Sequence, residues 1–280
     1  MLAGQGVPFD DRGLAYGDGL FETVLVRDGK ALLWSEHLAR LERGCKALNL
    51  PSPPRAELDE LPARCGEGLA VLKLIVTRGS GGRGYAASPA SPASSPRLRW
   101  HAQPFLPARE RWLGVRVRHC QLTLGIQPRL AGIKHLNRLE NVLARSEWQD
   151  EDVAEGLLCD SDGRLTEATA MNLVWWRRGR WETPALLHCG VAGTLRRALL
   201  TSLPLVEVET GPGVLAEVEA LCLINSVQGV WPVLQLDSAW GTVQHRWSLN
   251  DRHLALQRLA HPLLGYPPPD VGRVPANEET

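Results

Sequence analysis

Lysine is the scarcest basic residue in this chain, and one lysine stands in a setting suited to chemistry. Lys134 lies between the apolar Ile133 and a polar run that includes His135 and Arg138, just before a segment with helical periodicity. A lysine amine becomes nucleophilic when burial or a neighbouring cation lowers its pKa. Taken alone, Lys134 fits an ordinary surface lysine as well, and Lys73, inside an apolar strand pattern, is a rival candidate. The remaining lysines, which look exposed, are Lys30 and Lys46.

Three further motifs would complement a reactive lysine. "GRLTEATAMNLVWW" places Glu167 at a strand edge after a tight turn, where a carboxylate can pair with a pyridinium nitrogen. "GVAGTLRRALL" opens a helix after a glycine, so the backbone N–H groups of Thr194 and Leu195 can bind phosphate. "INSVQGVWPV" ends a strand with Asn225 and Ser226, which add an amide and a hydroxyl. Each motif alone has an ordinary structural interpretation, but together with the lysine they predict a site for a phosphorylated pyridine cofactor.

The stretch "TRGSGGRGY", residues 77–85, has the G-x-G-x-x-G spacing of dinucleotide-binding loops. It runs into a Pro/Ser/Ala tract at Ala86–Pro96 that cannot begin a helix, and no acidic residue follows at the spacing needed for a ribose. We therefore predict no nucleotide site. The loop instead offers candidate side chains for binding a carboxylate-rich ligand, the alternative being a solvated hairpin loop. These candidates, with one arginine beyond the tract, are Arg78, Arg83, Tyr85 and Arg97.

Composition excludes several classes of function. The formal net charge is zero and the pI is about 7.1, so no global field favours nucleic acid or an anionic membrane. The six cysteines show no C-x-x-C or Cys/His spacing, which predicts free thiols, no metal site and a reducing cytoplasm. The N-terminus lacks a basic-then-apolar signal, and no apolar run approaches the ~20 residues that span a bilayer.

Periodicity predicts a mixed α/β chain. The first part reads as a hairpin over "GLFETVLVRDGKALLW", a helix capped by Ser35, a short helix interrupted near Pro62, and strands at Leu69–Thr77 and Leu98–Phe105. The second part reads as the strand "GVRVRHCQLTL", the helix "LNRLENVLARSEWQD", a strand meander, the helix "GTLRRALLTSL", a strand-rich stretch and a C-terminal helix. We predict a small domain over 1–106, a linker over 107–112, a larger domain over 113–266 and a disordered tail over 267–280.

The motifs resemble those of the branched-chain aminotransferase-like, fold-type IV family of pyridoxal phosphate enzymes. "DRGLAYGDGLFETV" is similar to that family's opening motif, and "EHLARLERG" to its helix with a phosphate-contacting arginine, which corresponds to Arg40. The resemblance reaches to about Pro262. It implies an α+β fold with a small N-terminal α/β domain, a larger C-terminal domain with a strand-rich, barrel-like core, and pyridoxal phosphate between them. It also implies a homodimer.

Within this family, "AGIKHLNRLEN" and "TRGSGGRGY" are similar to the aminodeoxychorismate lyases. The resemblance implies conversion of 4-amino-4-deoxychorismate to 4-aminobenzoate and pyruvate in folate biosynthesis. In that reaction Lys134 would bind the cofactor and remove the C4 proton, while Glu167 would keep the cofactor ring nitrogen protonated. The alternatives are a D-amino acid or branched-chain aminotransferase and a catalytically silent cofactor-binding protein. D-amino acid transaminases carry a tyrosine where this chain has Phe21, and a silent relative would lack the lysine or the glutamate.

Overall fold

An antiparallel sheet of four strands forms the first half of the molecule, in the order β2-β1-β3-β4. The strands turn tightly at Asp28 and Gly29, which both have positive φ, so the predicted hairpin is confirmed. The computed structural model describes residues 6–87 and 96–269; most of the Pro/Ser/Ala tract and of the predicted tail lie outside these ranges. The four strands are β1 (Gly19–Arg27), β2 (Lys30–Ala31), β3 (Leu69–Thr77) and β4 (Arg97–Pro104).

Three short or medium helices accompany this sheet: α1 (Arg12–Tyr16), α2 (Trp34–Ala47) and α3 (Arg55–Asp59), the last followed by a 3₁₀ turn at Pro62–Cys65. The apolar face of α2 packs on the sheet through Leu38, Leu41 and Cys45. The predicted cap at Ser35 was wrong, because Leu33 occupies the N-cap position with a left-handed backbone. Ser35 lies inside the first turn, where its hydroxyl donates to Glu36.

A second, larger sheet has the order β10-β9-β8-β11-β12-β5-β6-β7, with β13 paired to β12. Its pairs are antiparallel except β5 with β6, β5 with β12 and β9 with β10. The edge strand β7 also contacts β8, so the sheet curls into a half-barrel that confirms the barrel-like core. The strands are β5 (Val115–Leu124), β6 (Val153–Asp160), β7 (Leu165–Ala168), β8 (Asn172–Arg177), β9 (Arg180–Pro184), β10 (Leu205–Val208), β11 (Ala220–Asn225), β12 (Gly229–Asp237) and β13 (Val243–Arg246).

The helices of the second half are α4 (Leu139–Arg145), α5 (Thr194–Ser202) and α6 (Asp251–Ala260). Helix α4 is shorter than the sequence predicted, because the chain beyond it is recruited to the core: Trp148 is buried and its indole donates to the carbonyl of Val153 at 3.1 Å. None of the helices in the described ranges has the length and apolar character needed to cross a membrane. The predicted linker contains a 3₁₀ turn at Arg109–Trp112, and the domain boundaries stay a prediction.

The loop over 132–136 joins the two sheets. The backbone N–H of Phe21 donates to the carbonyl of Lys134 at 3.0 Å, and the N–H of Leu136 donates to the carbonyl of Gly19 at 3.0 Å. On the other side, the N–H of Gly132 donates to the carbonyl of Gly190 at 2.9 Å, and Gly132 forms a β-bridge with Val191. The lysine loop is therefore fixed by hydrogen bonds to the small sheet and to the segment that leads into α5.

Candidate active site

A cavity of about 720 Å³ opens where the lysine loop, β1, β7 and the start of α5 meet. It brings together residues that are distant in the sequence and that were predicted from separate motifs. Seven residues were predicted from the sequence to act in lysine chemistry or cofactor binding, and six of them line this cavity. The predicted residues in the lining are Arg40, Lys134, Glu167, Thr194, Asn225 and Ser226.

Lys134 supplies the amine in this cavity. Burial, aided by the positive charge of Arg40 and opposed by the charges of Glu22 and Glu167, lowers the pKa of Lys134 to about 8. The Nζ atom lies 4.4 Å from the ring centroid of Phe21, an apolar surface that keeps water from one side of the amine. A substantial neutral fraction at physiological pH makes this amine both nucleophilic and able to accept a proton.

Lys73, the rival amine, lies on β3 with an exposed side chain. Its Nζ is 5.6 Å from the Phe21 ring, and it does not contribute to the lining of the cavity. Lys134 is therefore the lysine whose environment suits covalent chemistry.

Glu167 provides a buried carboxyl on β7, with 3 % of its surface exposed. Its Oε2 accepts a hydrogen bond from the backbone N–H of Val191 at 2.8 Å. Burial raises the pKa of Glu167, while that hydrogen bond and the charges of Arg138 and Lys134 oppose the rise. A cationic ring nitrogen placed beside this carboxyl would hold it ionised, because an adjacent positive charge favours the charged form.

An anion-binding end is formed by Arg40 and the N-terminus of α5. Helix α5 has nine residues, and the backbone N–H groups of its first turn have no intrahelical acceptor. Arg40, from α2, donates to both carboxylate oxygens of Glu22 and to the carbonyl of Ala192 at 3.1 Å. Thr194 adds a hydroxyl. The side chain of Leu195 is fully buried in the core, so only its backbone N–H is available for the phosphate contact that the sequence predicts.

The turn between β11 and β12 forms another wall. Ser226 lines the cavity there. The amide oxygen of Asn225 accepts hydrogen bonds from the N–H groups of Val227 and Gln228 at 2.9 and 2.7 Å, so it shapes the turn. Its amide nitrogen points to the carbonyl of Ala170 at 3.4 Å. Asn225 thus acts chiefly by positioning Ser226.

Two residues of the site, Glu22 and His37, escaped the sequence reasoning. Glu22 is 1 % exposed and His37 is fully buried; Oε2 of Glu22 lies 2.6 Å from Nδ1 of His37. A signal was present, since Glu22 alternates with Leu20 and Val24 on the apolar face of β1, where an acid is expected only with partners. The carboxylate holds the guanidinium of Arg40 in place.

The four predicted substrate-binding residues lie outside the lining of this cavity. Arg78 donates to both carboxylate oxygens of Asp18 and to the carbonyls of Leu48 and Asn49, which commits its guanidinium to the fold. Arg97 pairs with buried Asp11 at 3.2 Å. The two loop residues, both exposed, are Arg83 and Tyr85.

Two other arginines line the cavity and were not predicted as ligands. They are Arg138, next to the lysine loop, and Arg145 on α4. Within the described ranges neither forms an ion pair with a carboxylate: the guanidinium of Arg138 contacts the His135 ring and that of Arg145 donates to the carbonyl of Trp148, while the buried Nε of Arg138 has no hydrogen-bond partner. Comparable arginines elsewhere are neutralised, as Arg78 is by Asp18. The cavity therefore holds positive charge available to an acidic ligand.

Similar proteins identify the family of this chain. The family model for class IV amino-transferases matches residues 19–236, which is most of the chain. The chain belongs to the class IV aminotransferase family. Among similar members, the aminodeoxychorismate lyase of Vibrio harveyi is 35 % identical over 238 residues, covering 81 % of this chain and 86 % of that protein. The crystal structure of 4-amino-4-deoxychorismate lyase from Pseudomonas aeruginosa superposes with a TM-score of 0.83 at 42 % identity, covering 92 % of this chain and 96 % of that one.

A third relative shares the fold alone. A hypothetical aminotransferase from Mycobacterium tuberculosis, in a form bound to pyridoxal phosphate, has a TM-score of 0.76 at 21 % identity and covers 94 % of this chain and 95 % of that one. The donor set of the cavity fits such a cofactor of the class IV aminotransferases: an amine at the centre, a carboxyl at one side, and a guanidinium with a helix N-terminus at the other.

Proposed function

We propose that this chain is an aminodeoxychorismate lyase, which converts 4-amino-4-deoxychorismate to 4-aminobenzoate and pyruvate and so serves folate biosynthesis. The observation that carries the proposal is the buried amine of Lys134, which shares one cavity with Glu167 and with Arg40 at the start of α5. The lyases of Vibrio harveyi and Pseudomonas aeruginosa, at 35 % and 42 % identity, support this activity within the family.

The cofactor of this activity is pyridoxal phosphate, which supplies an electron sink when bound. Lys134 would hold it through its amine, and Glu167 would pair with its ring nitrogen. Its phosphate would be received by Arg40, by the hydroxyl of Ser226 and by the N–H groups that open α5 with Thr194. Each of these residues lies on a separate element, so the fold sets the spacing between the ring end and the phosphate end.

Lys134 also serves as the base. The Lys134 amine can act in this way only when it is not bound to the cofactor; in its free form its pKa is about 8, so it can accept the proton from C4 of the substrate at physiological pH. The C4–H electron pair then forms the ring double bond as the C3–O bond breaks, and the oxygen leaves with the enolpyruvyl group as the precursor of pyruvate. The product ring is aromatic, which favours elimination over return of the proton.

The substrate carries two carboxylates, and the cavity offers Arg138 and Arg145 to receive them. Arg83 and Tyr85 stay candidates because they lie on an exposed loop, whereas Arg78 is occupied by Asp18. Replacing a carboxylate-binding arginine by glutamine should raise KM and leave the absorbance of the bound cofactor unchanged. The same change at an arginine that only supports the fold should lower stability instead.

The test is an absorbance spectrum of the purified protein together with a 4-aminobenzoate assay on authentic aminodeoxychorismate. Lys134→Ala should lose both turnover and the absorbance of lysine-bound cofactor, and the matched control Lys73→Ala should keep both. Formation of a pyridoxamine form with D-alanine or L-leucine, reversed by a keto acid and without 4-aminobenzoate production, would identify an aminotransferase and refute the lyase proposal.

We also propose a homodimer. A second cavity, of about 870 Å³, is bordered by apolar side chains that are more than 60 % exposed: Leu14, Leu139 and Val142. Burial of such a surface against a second copy would remove apolar area from water. Light scattering should give about twice the chain mass of 30.8 kDa. Leu139→Glu should shift the protein towards monomer, while Leu106→Glu, at an exposed leucine outside this cavity, should not.

A cytoplasmic location completes the proposal. All six cysteines are free thiols in the structure, which suits a reducing compartment. Activity that survives in millimolar reductant is the expected result, and a loss of activity on reduction would contradict this location.

A further inference from the structure

Three buried polar side chains form a hydrogen-bonded chain behind the phosphate end of the cavity. His37 on α2 stands in the middle: its Nδ1 lies 2.6 Å from Oε2 of Glu22, and its Nε2 lies 3.3 Å from Oγ1 of Thr194. The exposed fractions are 0 % for His37, 1 % for Glu22 and 2 % for Thr194. Water therefore cannot satisfy any of these groups, and each proton must be placed on one partner or the other.

The carboxylate of Glu22 fixes the first proton. Burial opposes its charge, but the guanidinium of Arg40 prevails and lowers the pKa of Glu22 to about 2. An ionised carboxylate only accepts hydrogen bonds, so Nδ1 of His37 carries the proton between them. Burial, aided by the charges of Arg40 and Lys134, lowers the pKa of His37 and keeps its ring neutral. Nε2 is then an acceptor, and the single hydroxyl proton of Thr194 is donated to it.

This arrangement conflicts with phosphate binding. A phosphate at the start of α5 presents acceptors only, and Thr194 has one hydroxyl proton to give. If the hydroxyl donates to phosphate, the lone pair of Nε2 faces the lone pairs of Oγ1 in a site without water. If it keeps donating to His37, it offers lone pairs to a dianion. Either choice leaves a buried mismatch that one additional proton would remove.

We propose that binding of a phosphate dianion at this site is coupled to the uptake of one proton from solvent by Nε2 of His37. The new N–H donates to Oγ1 of Thr194, the Thr194 hydroxyl donates to a phosphate oxygen, and Nδ1–H continues to donate to Glu22. The inference rests on the phosphate position given under the proposed function. It makes His37 a positioning residue that acts on the phosphate through Thr194.

The charges around His37 agree with this coupling. The groups that face it are Glu22 on β1, Arg40 on its own helix and Lys134 on the lysine loop. With a neutral imidazole and a protonated Lys134 amine, these groups carry one net positive charge, and a bound dianion turns this into one net negative charge. The added proton restores neutrality, so the anion itself makes protonation of a buried ring favourable.

The experiment uses the full chain freed of cofactor, ring-¹⁵N-labelled at histidine, with methyl phosphate as the probe at pH 8, where this monoester is mainly a dianion without a P–OH donor. Phosphorus resonances report binding, and long-range proton–nitrogen spectra report the protonation of each imidazole. We expect His37, assigned by its absence in His37→Gln, to change from one protonated nitrogen to two on saturation. His253 and His261, buried away from this cavity, should stay unchanged and serve as internal controls.

Thr194→Val and Thr194→Ser separate the relay from a general charge effect. The valine variant keeps the shape but has no hydroxyl, so phosphate should bind more weakly and His37 should stay neutral; serine should restore both. Lys134 titrates in both proteins, so its effect cancels when they are compared. Between pH 8 and 9 the phosphate Kd should therefore rise about tenfold more per pH unit in the wild type than in the valine variant.

Three results would overturn the proposal. If phosphate binds and His37 stays neutral, the coupling is wrong although the phosphate site stands. If His37 is protonated equally in Thr194→Val, the hydroxyl relay is wrong. If methyl phosphate at tens of millimolar does not perturb the wild type, the phosphate position in the proposed function fails as well.

Discussion

Replacing Glu22 by glutamine should destabilise the protein more than most single substitutions do. Its carboxylate accepts both a bidentate contact from Arg40 and a hydrogen bond from His37, and Glu22 and His37 are both buried. Glutamine keeps the size of the side chain but removes the charge, and its amide nitrogen is a donor where the arginine needs an acceptor. The perturbation therefore leaves a buried guanidinium without its counter-ion.

The size of the effect follows from two independent estimates. A carboxyl whose pKa falls from 4.5 to about 2 on folding contributes about 3 kcal/mol at neutral pH, since one pKa unit corresponds to about 1.4 kcal/mol. Breaking a buried ion pair by removing one partner costs about 3–5 kcal/mol. With an unfolding entropy of about 0.6 kcal/mol/K for 280 residues, the melting temperature should fall by about 5–8 °C.

The assay is thermal unfolding by calorimetry at pH 7, with Glu60→Gln as the matched control. Glu60 pairs with Arg64 at 3.0 Å on the surface, where both side chains are more than half exposed, and losing that pair should cost below about 0.5 kcal/mol. If Glu22→Gln lowers the melting temperature no more than Glu60→Gln does, the carboxylate does not hold Arg40 and the reasoning is refuted.

The pH dependence gives the sign of the same effect. Folding lowers the pKa of Glu22, so its contribution is fully present above the unfolded value near 4.5 and is lost as the pH falls towards about 2. The difference in unfolding free energy between the wild type and Glu22→Gln should be constant from pH 6 to 8 and shrink below pH 4. A difference that grows on acidification would contradict this assignment.

Two further substitutions test other parts of the site. Burial raises the pKa of Glu155 to about 7, although the Thr169 hydroxyl donates to its carboxyl group. The folded state therefore holds this proton and loses stability as the pH rises from about 4.5 to 7. Calorimetry should show that Glu155→Gln raises the melting temperature at pH 8 and not at pH 4. Gly193→Ala should weaken binding of pyridoxal phosphate about tenfold or more, because its Cβ would lie 2.1 Å from the amide oxygen of Asn172, which accepts the Gly193 N–H. A fluorescence titration measures this affinity, and Gly213→Ala, which has open space around its Cβ, is the control. If Gly193→Ala and the control bind the cofactor equally well, the N-terminus of α5 does not bind its phosphate.

The cofactor end of the site was predictable because its chemistry depends on rare residue types in local motifs. Lys134 stood out among few lysines, and Glu167 followed a recognisable turn before a strand. Thr194 followed a glycine at a helix start. Each of these signals spans fewer than about fifteen residues, so sequence patterns could carry them. The structure adds that all three face one cavity.

The substrate end could not be predicted in the same way. Arg78 in the glycine loop looked available, yet Asp18, sixty positions earlier, neutralises it, and only the pairing of β1 with β3 brings the two together. Arg138 was predicted only as a cation beside Lys134, and Arg145 looked like an ordinary member of an amphipathic helix. Whether an arginine meets a carboxylate or a cavity is decided by tertiary contacts, which periodicity does not encode.

Strand β1 positions both the amine end and the phosphate end of the site. The backbone of Phe21 binds the lysine loop and its ring packs near the Lys134 amine, while the next residue, Glu22, points to the opposite face and holds Arg40. A slip of one residue in the pairing of β1 with β3 would exchange these faces, exposing Val24 and moving the acid away from the arginine. The apolar residues that fix this register therefore also fix the distance between the reactive amine and the phosphate end.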